Sequence, residues 1–553
     1  MPLKLRNRSI SWFGIGMIAI MILAVLLRLK GIHNPLLDHP NWRQGDMASI
    51  ARNFAQLQFN ILYPQTNYNG PPPNYVELEL QIVPFLAATL YKIFGVHEIF
   101  GRLITLFFSV ATVGVLGLFG RWLFGSWAAG LTSALIYAIV PGSIYYGRTF
   151  TPDATMVFFL TAALYASARF IFEDDAMDPR NLARVTALVS LAYLAKPVAL
   201  VGIIPIVAML WERARSGRTM RPTAVAVLLF VPVVILYLYQ RNIAQHAEWH
   251  WASGIMQLHV IPALQAAVTS SEGFALKASQ FGTVFHMFAD TMLGRIPTLI
   301  TVIAIALLFW ISLPRERAQM NSMVMRSKTL LWGWLVGGLI YTYVVVTVER
   351  VDYYMFLLLP LAALFIAGLI AYLTSKKTIA TAYFSQPTPR WVAGVIAFAL
   401  TVWIIRDSQA AVASYYTYNK QAYQNAIVLS HALPLNTLVV MGHYGPDVLY
   451  YIGRFGWEED PELWTPFDEE SAIKKGARYF ISIEDNRLRH NVELCAWLQR
   501  FRLLNTAAEW PVYETDPLKI LPGAEASWKQ FRFAERKGQA RQFLDTRHLC
   551  ISS

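Results

Sequence analysis

The chain has 553 residues, 55% of them hydrophobic and only 15% charged, with a formal net charge of +12. That much apolar surface exceeds what the cores of a soluble protein of this length can bury, so most of it must face lipid. The excess of basic residues sits in short loops between apolar runs, which is the pattern of membrane topology, and nucleic acid is set aside as a partner.

A membrane-spanning helix needs about 20 apolar residues. Runs near that length at 12–29, 100–119, 127–144, 154–172, 184–196, 198–211, 223–240, 295–313, 329–347, 354–374 and 391–405 predict an α-helical polytopic membrane protein with about eleven transmembrane helices. The first run is long and has no small-residue cleavage site, so it reads as a signal anchor. Residues 80–94 are also apolar but are interrupted by Gln81, Pro84 and Lys92, and predict a helix lying at the interface. Lys4, Arg6 and Arg8 place the N-terminus in the cytoplasm. Basic loops then alternate with loops poor in Lys and Arg. The latter set is the long first loop (30–98), the turns at 143–153, Lys196 and 348–353, the 241–294 loop and everything after 405, and it falls on the outer face.

Charged residues return after Ile405. Strand-like runs from Thr437 to Met441 and from Arg478 to Ile483 alternate with helical patterns at 419–432 and 491–503. The expected organisation is a transmembrane domain over 1–405 followed by a soluble, extracytoplasmic α/β domain over 406–553. Cys495 and Cys550 both fall in it, where a disulfide and two buried thiols fit equally. The segment from Gly442 to Asp447 has the form of a strand-to-helix loop and reads as a capped turn. No glycine-rich phosphate cradle is present, which argues against a sugar nucleotide or ATP as energy source.

The outer face carries the candidate chemistry. Asp38 and Asp46 lie in the first outer loop, Asp46 near the start of a helix that ends Ile50-Ala51-Arg52-Asn53-Phe54. A carboxylate just outside a bilayer can meet a substrate whose reactive head protrudes from the lipid; the competing reading of Asp46 is a helix N-cap. In the second outer loop Asp153 could bind a metal or an acceptor, or complement the dipole of the helix it opens. Arg148 in the same loop suits bidentate binding of a phosphate. Lys196 lies between two apolar runs and needs a partner, for which a lipid phosphate competes with simple snorkelling to the interface. Arg350, before the next span, is a further phosphate candidate, with Arg43 beside Asp46 in the first loop. His246 and His250 have the spacing that puts two imidazoles on one helix face, with His259 and His286 in the same loop, although Trp249 and Trp251 read equally as an aromatic belt.

The order of basic N-terminus, first helix, long outer loop with the Ile-Ala-Arg-Asn-Phe helix, amphipathic segment ending Phe94-Gly95 and an acid in the second outer loop resembles the glycosyltransferase C superfamily. Within it, the pattern is similar to the protein mannosyltransferase and aminoarabinose transferase branch, over roughly residues 10 to 405. The resemblance implies an inverting glycosyltransferase that moves a sugar from a polyprenyl-phosphate donor, of the undecaprenyl-phosphate type, to a lipid, glycan or protein acceptor on the outer face of the cell inner membrane. The branch usually has an adjacent Asp-Glu pair ahead of its Ile-Ala-Arg run. Here Arg43 and Gln44 stand at that place, so Asp46 is the preferred base and Asp38 the alternative. A base must take the acceptor proton as the new bond forms, and cations must receive the charge of the departing lipid phosphate. Glu77 and Glu79 fall near the metal-binding glutamate of the aminoarabinose branch, so a divalent ion held by Glu77, Glu79 and His250 is the one cofactor the resemblance suggests. The alternative reading is a transporter or flippase of lipid-linked substrates, a class that usually shows paired inverted repeats not seen in this sequence.

Overall fold

The computed structural model describes residues 12–174, 177–311, 322–374 and 390–536. Among them, six helices are long and apolar enough to cross a bilayer: Ile99–Phe124, Asp153–Glu173, Pro197–Arg215, Pro222–Ala244, Lys328–Glu349 and Asp352–Leu373. Two bent helix pairs raise the number to eight if each pair forms one span. Eleven spans were expected from the apolar runs, and the differences have local causes. Helix α1 (Trp12–Arg28) has 17 residues and helix Trp127–Ile139 has 13, so both fall short of the length criterion. The run at 127–144 is broken because Val140, which precedes Pro141, adopts extended backbone, and Pro141 opens a separate short helix. The run at 184–196 belongs to a helix that starts earlier, Pro179–Ala195, whose first turns carry Arg180 and Arg184.

The helices share one large apolar core in which Leu116, Phe119, Leu164, Phe356 and Leu364 are almost fully buried. Above it lies the long first loop. Its helix α2 (Asn41–Gln56) packs on helix α3 (Ile82–Phe94), which at 13 residues is too short to span. Val83, Ala87, Ala88 and Tyr91 form the buried face of α3, while Ile93 and Phe94 stay exposed. One face of this helix is thus buried in the protein and the other exposed.

A two-residue strand, β1 (Val76–Glu77), pairs in parallel with β2 (Trp249–His250) and draws the 241–294 loop against the first loop. In the tail, β3 (Leu438–Gly442), β4 (Phe455–Glu459), β5 (Ala477–Ser482), β6 (Arg502–Leu504) and β7 (Val512–Glu514) form one sheet of order β4-β3-β5-β7-β6. The pairs β3/β4 and β3/β5 are parallel, and β5/β7 and β6/β7 antiparallel.

The sheet is bound to the first loop rather than standing apart from it. Gly70 N–H donates to the Gly456 carbonyl (2.8 Å) and Gly456 N–H to the Asn67 carbonyl (3.0 Å), so loop residues extend the exposed edge of β4. Met47, Ile50 and Phe54 of α2 share a second apolar core with Leu449 and Ile452 of the tail helix Pro446–Ile452. Cys495 is buried in a third core on the far face of the sheet, while Cys550 lies outside the described residues.

Candidate active site

Helix α2 starts after Pro40, whose extended backbone sets its first turn, and buries Met47, Ile50, Ala51 and Phe54. Asp46 therefore lies inside the helix and not at its N-cap, which removes the capping reading. Gly45 permits what covers it: a Cβ there would sit 2.7 Å from the Asp447 Cα and 2.8 Å from its N, so only glycine lets the helix Pro446–Ile452 close on α2.

Where α2 faces the ends of the membrane helices there is a cavity of about 290 Å³. Arg43 and Asp46 reach it from α2, Glu79 from the segment after β1, Lys196 from the end of Pro179–Ala195, and Tyr353 and Tyr354 from the start of the last long span. Trp251 closes the side toward the 241–294 loop. Asp46 is 3% exposed, and its Oδ1 has no hydrogen-bond partner. Its Oδ2 lies 3.7 Å from Arg43, which is held by a direct ion pair with Glu79. Burial pushes the Asp46 carboxyl up to about 7, with Glu79 and Asp447 adding to the rise and Arg43 and Tyr68 opposing it.

Lys196 Nζ binds Asp153 Oδ1 at 2.6 Å and lies 4.6 Å and 5.2 Å from the ring centres of Tyr354 and Tyr353, within cation–π range. Asp153 is fully buried behind Lys196 and does not line the cavity. It thus reaches the site through the ammonium that it orients.

The remaining candidates lie elsewhere. Asp38 is fully buried, with one oxygen bonded to Arg102 (2.7 Å) and the other to Arg148 (2.8 Å), and it also accepts from Gln44 (2.7 Å). The predicted alternative base and the predicted phosphate ligand Arg148 are therefore each other's partners, outside the cavity. Arg350 is exposed, in left-handed backbone (φ 50°), and does not line the cavity. Glu77 accepts from Ser253 Oγ (2.6 Å) and approaches His250 Nδ1 (3.3 Å), whereas Glu79 is committed to Arg43. His246 follows the end of Pro222–Ala244 and His250 stands in β2, so the two imidazoles share no helix face. Among the described residues no group of three or more His, Cys, Asp or Glu is placed to hold a metal. The expected set of Glu77, Glu79 and His250 does not fit a divalent ion, and no step below depends on one.

Sequence reasoning did not find the Arg43–Glu79 pair, the tyrosines at the cavity, or the part played by the tail. Asn41 Nδ2 donates to Asp447 Oδ2 (2.8 Å), and Asp447 with His443 and Glu484 forms a polar cluster over α2. The only local signal was the strand-to-helix form of the loop from Gly442 to Asp447.

The family model for dolichyl-phosphate-mannose-protein mannosyltransferase matches residues 81–239, a segment that includes Arg148, Asp153 and Lys196 but not α2 or the tail. No curated protein sequence matches the chain. Among solved structures, ArnT from Cupriavidus metallidurans bound to undecaprenyl phosphate aligns with a TM-score of 0.59 at 14% identity, over 93% of this chain and 100% of that one. The same protein in its apo state gives 0.56 at 14% identity, over 90% and 97%. The apo oligosaccharyltransferase of Archaeoglobus fulgidus gives 0.56 at 13% identity, over 92% and 75%. At such identities the likeness is one of fold. The chain is a multi-pass membrane protein with the glycosyltransferase C fold, and from the start of α3 to helix Pro222–Ala244 it carries the match to the mannosyltransferase family.

Proposed function

We propose that the chain is an inverting glycosyltransferase that takes a sugar from a polyprenyl-phosphate donor on the outer face of a bacterial inner membrane, with its N-terminus cytoplasmic and its tail extracytoplasmic. The observation that carries this reading is the meeting, in one cavity, of an unpartnered oxygen on Asp46 with the cations Lys196 and Arg43. The acceptor hydroxyl oxygen attacks the anomeric carbon, and its proton passes to Asp46 Oδ1. The bond from that carbon to the phosphate oxygen breaks, and the electron pair leaves on the lipid phosphate. Lys196 and Arg43 receive that charge. Asp153 keeps the ammonium in place, since the Asp153–Lys196 bond leaves two further N–H donors on Nζ.

A carboxyl near 7 is matched to proton abstraction close to neutral pH, where both its ionised fraction and its basicity are useful. Ile255, Met256 and Val345 give the cavity an apolar wall suited to an isoprenoid chain. The lipid phosphate in the ArnT structure of the same fold supports the donor class.

The test is release of polyprenyl phosphate from a labelled polyprenyl-phosphate sugar by the full-length protein in vesicles of bacterial membrane extract, which supplies acceptor hydroxyls, read by chromatography. Wild type turns over, and Asp46→Asn loses about 10²–10⁴-fold while still binding the lipid. Wild-type turnover by Asp46→Asn sinks the proposal.

A further inference from the structure

On the other side of Trp251 lies a second cavity, of about 600 Å³, which the mechanism above does not use. Three separate segments build it: Tyr68 from the first loop, Trp249 and Trp251 from β2 and the residue after it, and Glu458, Glu459 and Asp460 from the end of β4. Asp468 adds a fourth carboxylate, Tyr444 and Trp464 add aromatic surface, and no Lys, Arg or His is among its lining residues.

Two features mark it as built for a ligand. Glu458 is only 6% exposed, yet its Oε2 has no hydrogen-bond partner. Burial and the nearby Asp46, Glu459 and Asp447 hold this carboxyl well above the usual carboxylate range, so it keeps its proton and offers a neutral, unpartnered hydrogen-bonding group to a ligand. The cavity also adjoins the base: Trp251 lines both cavities, and Tyr68, which lines this one, lies close to Asp46.

Aromatic faces beside acidic side chains match the surface of a sugar, which offers C–H faces for stacking and hydroxyls that donate. Asp460 is paired with Arg487, but an anionic ligand would still place like charge against Glu459 and Asp468. Resting on the function proposed above, we propose that this cavity is the acceptor subsite and that it takes a neutral or cationic saccharide, whose reactive hydroxyl reaches Asp46 past Tyr68 and Trp251.

The experiment uses the full-length protein in detergent and three probes: a glucosamine disaccharide, its N-acetylated form and its phosphorylated form. Saturation-transfer NMR reads saccharide binding, and native mass spectrometry reads undecaprenyl phosphate on the same samples. The cationic and neutral disaccharides bind saturably and the phosphorylated one at least about tenfold more weakly. Trp249→Ala weakens the first two by about tenfold. Glu459→Gln narrows the preference for the cationic over the phosphorylated probe. Both variants retain undecaprenyl phosphate as wild type does, which shows that they are folded. Failure of wild type to bind either non-phosphorylated disaccharide, equal affinity in Trp249→Ala, or preference for the phosphorylated probe overturns the inference while leaving the proposed function standing. Failure of wild type to bind undecaprenyl phosphate counts instead against the proposed function.

Discussion

Asp38 and Asp46 lie in the same loop, are both buried, and both face arginine, but their surroundings are opposite. Each oxygen of Asp38 has its own guanidinium, from Arg102 and Arg148, and Gln44 donates as well. Asp46 has a longer contact to an arginine already held by Glu79, with Tyr68 beside it, and its Oδ1 makes no direct hydrogen bond. A saturated carboxylate has no lone pair to offer a substrate proton and serves to join Gln44 of α2, Arg148 in the loop before Asp153 and Arg102 of helix Ile99–Phe124. An under-coordinated one beside a cavity is costly to bury and available for chemistry. Burial alone does not separate the two; the count of donors does.

The comparison breaks most sharply at Asp38. Asp38→Ala leaves Arg102 and Arg148 buried together without a counter-ion and should destabilise the fold by about 3–5 kcal/mol, read as a large drop in Tm. Turnover per folded molecule should persist; an inactive but fully stable Asp38→Ala would reverse the assignment of the two acids. Lys196→Met should next weaken undecaprenyl phosphate binding by on the order of 1.5–3 kcal/mol, the strength of a charge-assisted hydrogen bond. Because that change strands Asp153, it is best measured in the Asp153→Asn background, where the loss should remain.

Asp46 sharpens the contrast through pH. Its carboxyl sits at about 7 in the fold and near 3.9 in the unfolded chain, so the folded state holds its proton more tightly. Stability from this group is complete below about pH 4 and falls as pH rises toward 7. Asp46→Asn should therefore raise stability by on the order of 1–3 kcal/mol at pH 8 and very little at pH 4, as followed by thermal melts. Activity has the opposite slope: the wild-type rate should fall about tenfold per pH unit below 7 and level off above it. A rate independent of pH between 5 and 8 removes Asp46 as the base. At Gly45→Ala the new methyl group meets the Asp447 backbone, and a cost of about 1–3 kcal/mol and a reduced rate should follow.

What could be read from the sequence was whatever has a local cause. Asp46, Arg43 and Lys196 stood out because a charge beside an apolar run is visible without knowing the fold. Their partners did not. Lys196 and Asp153 are 43 residues apart and Arg43 and Glu79 are 36 apart, and no periodicity links them. Asp153 was read as a metal or acceptor ligand or a helix-start acid and Arg148 as a phosphate ligand, whereas in the fold each pairs with a counter-ion that only tertiary packing supplies. The break at Pro141 did have a local signal, hidden by the apolar residues that continue through it. The strands β3 and β5 were apparent from their alternation, whereas the fusion of the tail sheet with the first loop was not. Val448, Leu449 and Ile452 look like ordinary core residues until α2 is seen against them.

The roof over α2 also sets an order of events during synthesis. Asn41 is bonded to a residue 406 positions later, and the edge of β4 is completed by loop residues made long before it. A nascent chain thus carries Asp46, Arg43 and Lys196 long before the segment that covers α2 has emerged.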